Sequence, residues 1–185
     1  MNGRILGVCA LLSAGAARAE PVSETYATVG EWEITAGNHG ACVMQRSYLL
    51  KDNGDQQTLV VFYDAQKKGA VLGWGTRKPK LPPLSDSLDF DLSFSRKGSS
   101  LNETWGSQPF QIEKVGDEYR YSHVFKGSAD SDRFLRDLGS SEMLALWLGP
   151  TVMMARYLNA SEAVEKLREC SSKVVGLDTS ARLQK

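Results

Sequence analysis

This sequence lacks an excess of charge of either sign: 22 Lys and Arg stand against 22 Asp and Glu in 185 residues. A nucleic-acid-binding protein ordinarily carries a basic excess, with which it displaces counterions from the phosphates. The balance therefore argues against nucleic acid as a partner. A long hydrophobic run is also lacking, because the apolar stretch at residues 5–14 is too short to span a bilayer. We expect no stable membrane insertion of the mature chain.

Residue types and motifs that carry catalysis are scarce as well. The sequence has two histidines, His39 and His123, and histidine is the side chain whose ordinary pKa lies near neutral pH. It contains no Gly-x-Ser-x-Gly, no His-Glu-x-x-His, no phosphate-binding loop and no dinucleotide fingerprint. His39 lies in a Gly-Asn-His-Gly turn and is expected to be exposed. These absences predict a protein that is not an enzyme and has no metal or other cofactor.

The amino terminus has the features of a secretory signal peptide over residues 1–19. Arg4 supplies the positive start, residues 5–14 form the apolar core, and Ala-Arg-Ala at residues 17–19 is the small-x-small pattern of a cleavage site. Cleavage after residue 19 would place the mature protein in the periplasm or outside the cell. A retained anchor is an alternative, but the core is short for one. A lipoprotein is another, but Cys9 lies inside the apolar core rather than after it.

Cysteine is rare, with three residues in the sequence, and cleavage of the leader removes Cys9. The remaining pair, Cys42 and Cys170, lies near the two ends of the mature chain. An even pair in an exported protein predicts one structural disulfide. Closing a loop of this size would stabilise the fold by about 4–5 kcal/mol in the chain-entropy model. A redox pair is the weaker hypothesis, because redox cysteines usually have Cys-x-x-Cys spacing.

Alternating apolar and polar residues, the pattern of half-buried strands, dominate the mature sequence. Strands are predicted over residues 31–34, 41–50, 88–95 and 119–125, and residues 59–63, which are apolar on both faces, are predicted to form a central strand. Hairpin turns are predicted at residues 51–55, which contain Asn-Gly, and at residues 115–118. Residues 143–148 and 152–158 are predicted to form either a strand pair or one helix broken by the intervening Gly-Pro.

Two segments have helical patterns. A short helix is predicted over residues 132–138, capped by Asp130 or Ser131. A second is predicted over residues 160–171, with Cys170 on its apolar face.

These elements together predict a mainly β (α+β) fold. Its architecture would be an antiparallel β-sandwich or a strongly curled sheet, with the short helix and the C-terminal helix packed on it. Residues 20–172 would form this single domain, and residues 173–185 would form a flexible C-terminal tail.

Seven residues are candidates for contact with a ligand or partner. They are Trp74, Arg77, Lys78, Lys80, Tyr119, Tyr121 and His123. Trp74 lies between two glycines and is expected to be exposed, whereas most tryptophans should belong to the core. The Pro-rich segment with the three cations could hold an anionic surface or be a stiff, soluble connector, and the second is favoured. His123 could stack on a ligand or act as a general base, but a half-buried, hydrogen-bonded histidine is favoured.

Asp89 and Asp91 lie on one face of a predicted strand and could present two carboxylates to a metal ion or a glycosidic bond. Both alternate with apolar residues, so the solvated face of a half-buried strand explains the same pattern. We predict no metal site there.

Three segments are similar to those of a known family. They are Gly-Glu-Trp-Glu-Ile at residues 30–34, Ala-Cys-Val-Met-Gln-Arg at residues 41–46, and Asn-Ala-Ser-Glu-Ala-Val-Glu-Lys-Leu at residues 159–167. In this layout the chain resembles bacterial periplasmic proteins of the invasion-associated locus B type. It departs from that type in its lone early cysteine, where further cysteines are expected in the middle. The resemblance implies a non-enzymatic, β-rich envelope or secreted protein that acts at a host or cell surface, and it assigns no site residue.

The leading hypothesis is therefore a non-catalytic binding or accessory protein of the bacterial envelope, periplasmic or secreted, with an unknown protein or envelope partner. One alternative is a carrier for a small apolar ligand held between sheet and helix. Another is a carbohydrate-acting hydrolase that uses Asp89 and Asp91.

Overall fold

The computed structural model describes residues 24–37, 41–80, 85–96 and 102–182. The predicted signal peptide and His39 lie outside the described residues. The elements in chain order are β1 (Glu24–Val29), β2 (Trp32–Ala36), β3 (Ala41–Leu49), β4 (Gln56–Asp64), β5 (Gly69–Thr76), β6 (Ser87–Ser95), β7 (Asn102–Val115), β8 (Glu118–Phe125), α1 (Gly127–Ser140), β9 (Met143–Leu148), β10 (Thr151–Tyr157) and α2 (Ser161–Arg182).

The ten described strands form one antiparallel sheet in the order β1-β2-β3-β4-β5-β8-β7-β6-β9-β10. The sheet is open, but its curl brings the two ends together. The indole N–H of Trp32 on β2 donates to the carbonyl of Leu158, just after β10, at 2.8 Å. Arg46 on β3 donates to the same carbonyl at 3.0 Å. The predicted mainly β class, with a curled sheet and two helices, is confirmed.

The core lies inside this curl and is built from alternate residues of the strands. Its largest fully buried side chains include Trp32, Ile34, Met44, Leu59, Leu72, Phe90, Leu92, Phe94, Phe110, Tyr121 and Phe125. The five strands predicted from the sequence are confirmed as β2, β3, β4, β6 and β8. The late segment left open between strand pair and helix is the strand pair β9–β10.

Three strands, β1, β5 and β7, are not predicted from the sequence. Strand β5 contains Gly73 and Gly75, and glycine is depleted in strands. Strand β7 contains Gly106 and Pro109, which also argue against a strand when read locally. Pairing partners on both sides hold β5 and β7 in the sheet, whereas β1 is an edge strand that pairs with β2.

The predicted disulfide is confirmed. Cys42 on β3 is bonded to Cys170 on α2, with Cα atoms 6.1 Å apart, and both residues are fully buried. Ala163 and Leu167, two turns and one turn before Cys170, are fully buried as well. Helix α2 therefore packs on the sheet through the face that the periodicity predicts.

Helix α1 begins at Gly127, before the predicted start at residue 132. The predicted cap is wrong, because Ser131 lies inside the helix and bonds to the sheet instead. Its buried hydroxyl donates to the Phe125 carbonyl of β8 at 3.1 Å and accepts the Ala70 N–H of β5 at 3.1 Å. Ser131 thus attaches α1 to two neighbouring strands.

Helix α2 begins where predicted but is longer than predicted. It runs from Ser161 to Arg182, past the predicted end at residue 171 and into the segment assigned to a tail. The flexibility of residues 173–185 stays a prediction.

Candidate functional site

Strands β7 and β8 separate along part of their length and leave a cleft in the sheet. Their register runs from Val115 opposite Glu118 to Gln111 opposite Ser122, and it ends there. Beyond this point, in the described part of the chain, β7 continues beside β6 and β8 continues beside β5. The opening has a volume of about 630 Å³ and reaches the first turns of α1. The lining of this β7–β8 cleft includes Trp105, Gln108, His123, Lys126, Asp130 and Arg133.

Pro109 explains why the ladder stops. The β7–β8 hairpin turns through Gly116, whose φ of 63° suits the first central position of a type II′ turn. In such a two-residue hairpin the flanking residues exchange hydrogen bonds, and every second residue along the strands does the same. If this alternation of hydrogen-bonded pairs continued past Gln111 and Ser122, the next hydrogen-bonded pair would be Pro109 and Val124. Proline has no N–H to donate, so the ladder cannot continue through it.

His123 fills the gap on the β7 side of the cleft. Its Nδ1 lies 2.9 Å from the Pro109 carbonyl oxygen. Because a carbonyl only accepts, Nδ1 carries a proton and donates it to Pro109. The ring packs against Phe125, edge to face at 4.6 Å between centroids, and near Phe110 at 5.5 Å. The favoured sequence hypothesis for His123 is a half-buried, hydrogen-bonded histidine; the ring is hydrogen-bonded but is more deeply buried than expected, at 9% exposed.

Trp105 enters the cleft because of a β-bulge. The β6–β7 register shifts between Leu92, opposite Gly106, and Ser93, opposite Thr104, so Trp105 has no cross-strand partner. Gly106 has a φ of 64°, which glycine adopts without a Cβ penalty. A bulge of this kind redirects a side chain, and the Trp105 indole lies towards α1.

The ring of Trp105 joins the cleft to the charged groups of α1. Its Nε1 donates to the Asp137 carboxylate at 3.1 Å, and the Arg133 guanidinium lies 4.1 Å above the ring centroid. Three arginines, Arg96, Arg133 and Arg136, lie within 3.7–4.0 Å of the same carboxylate. One buried acid faces three cations here, so the mouth of the cleft carries excess positive charge.

The polar groups of the cleft differ from those of a hydrolytic triad or a metal site. His123 is held by a backbone carbonyl, whereas the histidine of a hydrolytic triad is held by a carboxylate. Within residues 24–37, 41–80, 85–96 and 102–182, no cluster of three or more His, Cys, Asp or Glu could hold a metal ion. The cleft combines ring faces, amide groups and charges of both signs.

The structure corrects the expectation for Trp74. Its side chain is 2% exposed and stacks on Tyr121 with ring centroids 4.6 Å apart, so it belongs to the core rather than to an exposed contact surface. Its Nε1 donates to Gln57 at 3.2 Å. Tyr121 is also buried, its hydroxyl has no hydrogen-bond partner among the described residues, and burial raises its pKa to about 12.

Tyr119 and the three cations of the Pro-rich segment are accessible, but each contacts its own chain. Lys114 lies 5.2 Å above the Tyr119 ring. Arg77 forms an ion pair with the Asp117 carboxylate at 3.4 Å. The ammonium of Lys78 donates to the Asn53 carbonyl at 2.6 Å, and that of Lys80 donates to the Val152 carbonyl on β10 at 2.7 Å. These contacts favour the connector hypothesis for this segment, and its role in binding stays untested.

Asp89 and Asp91 are both exposed on the outer face of β6. Their partners across β7 are Pro109 and Ser107, so the β7 strand opposite adds no acid or base to the pair. Solvation of an exposed strand face explains the two aspartates.

A buried polar network joins β4, β5 and β10 outside the cleft. Asp55 accepts hydrogen bonds from Thr76 Oγ1 at 2.5 Å and Gln57 Nε2 at 3.0 Å, and Gln57 Oε1 accepts from Arg156. Burial raises the pKa of Asp55, but bonds from Thr76, Gln57 and two backbone N–H groups outweigh it, so its pKa lies below the ordinary value. Burial lowers the pKa of Arg156, because it disfavours the charged guanidinium. The network fixes the strands at the end of the curl.

Among the seven predicted contact residues, only His123 lines the cleft. The sequence analysis missed Trp105 and Arg133 as site residues. The available signals were the Trp-Gly pair at residues 105–106 and the proline at residue 109 within an otherwise extended segment.

No protein-family model and no curated protein matches the chain. The structure is similar to the crystal structure of invasion associated protein B from Bartonella henselae, with a TM-score of 0.47 and 16% sequence identity. The match covers 85% of this chain and 99% of that chain. That protein is of the type that the sequence resembles, and the likeness is distant.

Neither described helix has the length and hydrophobicity that a bilayer crossing requires.

Proposed function

We propose that this chain is a non-catalytic binding or accessory protein of the bacterial envelope, periplasmic or secreted, which receives part of a partner in the β7–β8 cleft. The observation that carries the proposal is the end of the β7–β8 ladder at Gln111 and Ser122, which opens the interior of a sheet beside aromatic and charged side chains.

The size and lining of the cleft support binding. Ligand sites typically have volumes of about 300–1,000 Å³, and this cleft has about 630 Å³. Tryptophan and arginine are the residue types that most often dominate binding energy at interfaces. Trp105 and Arg133 stack on each other at the mouth, where Arg133 keeps 44% of its side chain exposed.

The buried disulfide supports an oxidising compartment, since structural disulfides persist in the periplasm and outside the cell. The signal-like leader of residues 1–19 supports the same location, the periplasm or the exterior of the cell. Action at a host or cell surface is the form of this function that the resemblance implies.

The two alternative functions have less support. A ligand held between sheet and helix would need space there, but Ala163, Leu167 and Cys170 on the inner face of α2 are fully buried against the sheet. A hydrolase acting through Asp89 and Asp91 would need a cleft between or beside them, and both lie exposed on a strand face.

Site-specific photo-cross-linking tests the proposal. A photoreactive residue at Gln108, in the cleft, is compared with one at Glu165, exposed on α2, in the protein exported by its own bacterium. We expect a discrete adduct from Gln108 alone, with a protein that mass spectrometry identifies and that binds the purified chain. Equal adducts from both positions, or none, would refute a cleft-directed binding function. Intact mass should show residues 1–19 removed.

A further inference from the structure

The backbone geometry of the two walls restricts the kind of ligand that the cleft can bind. We propose that an extended segment of a partner protein adds as a short strand to the open edge of β8 at Val124. This rests on the proposed function, because it names what the same cleft receives. The recognised chemistry is a peptide backbone in β conformation, with an apolar residue beside Val124 and an acidic residue near the mouth.

The two walls of the cleft differ in what they leave unpaired. On the β7 wall, the Pro109 carbonyl accepts from His123, and proline has no N–H to satisfy. On the β8 wall, the alternation of hydrogen-bonded pairs along the hairpin means that the backbone N–H and C=O of Val124 point towards the cleft. The register gives Val124 a partner on β5, namely Val71, but none on the β7 side among the described residues. The open edge therefore belongs to β8.

A peptide backbone is the ligand that such an edge fits. Ser122 is paired with Gln111 and β8 ends at Phe125, so Val124 alone presents one donor and one acceptor to the cleft, and an extended chain supplies the complementary pair. A small anion would use only the donor. The cleft lies between two strands, so an inserted strand would fill an interruption in the sheet.

The side chain expected beside Val124 follows from the outer face of the sheet. Cross-strand partners Val43, Phe62, Val71 and Val124 form an apolar row across β3, β4, β5 and β8. Phe62 is 43% exposed and Val124 is 51% exposed. The row ends at the open edge, so an apolar residue on the added strand would continue it and cover Val124.

The charge at the mouth of the cleft favours one kind of side chain at the end of the added peptide segment. Lys126 and Arg133 line the cleft with one acid, Asp130. Arg136 lies beside Arg133 at the shared Asp137 carboxylate, which leaves the mouth net positive. An acidic side chain on the added segment would therefore be favoured over a basic one.

The test uses a displayed library of random decapeptides against the exported protein and two variants. Val124→Pro removes the N–H of the open edge, and Val124→Thr keeps that N–H and the β-branched shape. Because the Val124 N–H points away from β5, proline there removes no bond of the β5–β8 ladder, and thermal unfolding checks that the variant folds. We expect selected peptides to be rich in alternating β-branched residues with Asp or Glu. Affinity should fall at least tenfold on Val124→Pro and little on Val124→Thr.

A second measurement applies to the unchanged protein. Amide hydrogen exchange should be fast at Val124 and slow at Tyr121, whose N–H points into the β5 ladder, and a selected peptide should slow exchange at Val124 at least tenfold. Peptides that bind equally to both variants, an absence of selected peptides, or unchanged exchange at Val124 would overturn strand addition. If cross-linking from Gln108 still captures a partner in that case, the binding function stands and only this mode of recognition fails.

Discussion

Removal of the Cys42–Cys170 disulfide should produce the largest change in stability of any perturbation considered for this chain. The bonded cysteines are 128 residues apart in sequence, so the bond closes a very long loop in the unfolded chain. In the chain-entropy model, ΔS is about −2.1 − 1.5R ln n, and a loop of that length corresponds to about 5 kcal/mol at 25 °C. For a domain of this size, 1 kcal/mol shifts Tm by about 2–4 °C. The expected fall in Tm is therefore about 10–20 °C.

The assay is thermal unfolding followed by far-UV circular dichroism, with and without reductant. The double variant Cys42→Ala/Cys170→Ala provides the matched control, because reductant should lower the Tm of the natural protein and leave that of the variant unchanged. The reduced natural protein and the variant should unfold within a few degrees of each other. A fall of less than about 5 °C on reduction would refute the assignment of this bond as the main covalent constraint on the unfolded chain.

Three further predictions concern buried polar groups, each measured by chemical denaturation. Tyr121→Phe removes an unpartnered hydroxyl and keeps the stack on the neighbouring indole, so the free energy of unfolding should stay unchanged or rise by about 1 kcal/mol; a clear loss would contradict this. Ser131→Ala leaves two backbone groups unpaired and should cost about 2–3 kcal/mol, whereas Ser128→Ala, exposed on the same helix, should cost little; equal costs would refute the bridge. Asp55→Asn places an amide against hydrogen-bond donors and should cost about 1–3 kcal/mol at neutral pH. Because folding lowers the pKa of Asp55, its contribution to stability is fully present above the unfolded pKa of about 3.9 and is lost as the pH falls through the lower folded pKa. The difference in the free energy of unfolding between the natural protein and the Asp55→Asn variant should therefore shrink in acid. A difference that stays constant with pH would contradict this.

Local pattern was sufficient for those parts of the fold in which burial differs between the two faces of a strand. Strands β6 and β8 alternate apolar and polar residues, and both were predicted for that reason. Strand β5 was missed because it contains Gly73 and Gly75, and glycine is depleted in strands. Pairing with β4 and β8 holds it in the sheet. The β8 partner lies far away in the sequence, so no local window contains that pairing.

The candidate site was predicted less well than the fold, for a similar reason. Trp74 was expected to be exposed because glycines flank it, but Tyr121 on the neighbouring β8 provides the ring on which it stacks. Most tryptophans were expected in the core, and the bulge that redirects Trp105 depends on register with β6. His123 was found because histidine is rare in this sequence, although the carbonyl that accepts its hydrogen bond lies 14 residues away.

Pro109 connects the local sequence to the cleft. In a central strand a proline deletes one donor, and an unsatisfied carbonyl beside it would add a further cost. Here the imidazole of His123 satisfies the Pro109 carbonyl, so the β7 wall of the gap is stable as it stands. No equivalent group reaches Val124 on the β8 wall, among the residues that the structure describes. Proline and histidine together therefore leave the β7 edge of the gap satisfied and the β8 edge open. That asymmetry is what suits the gap to a second backbone.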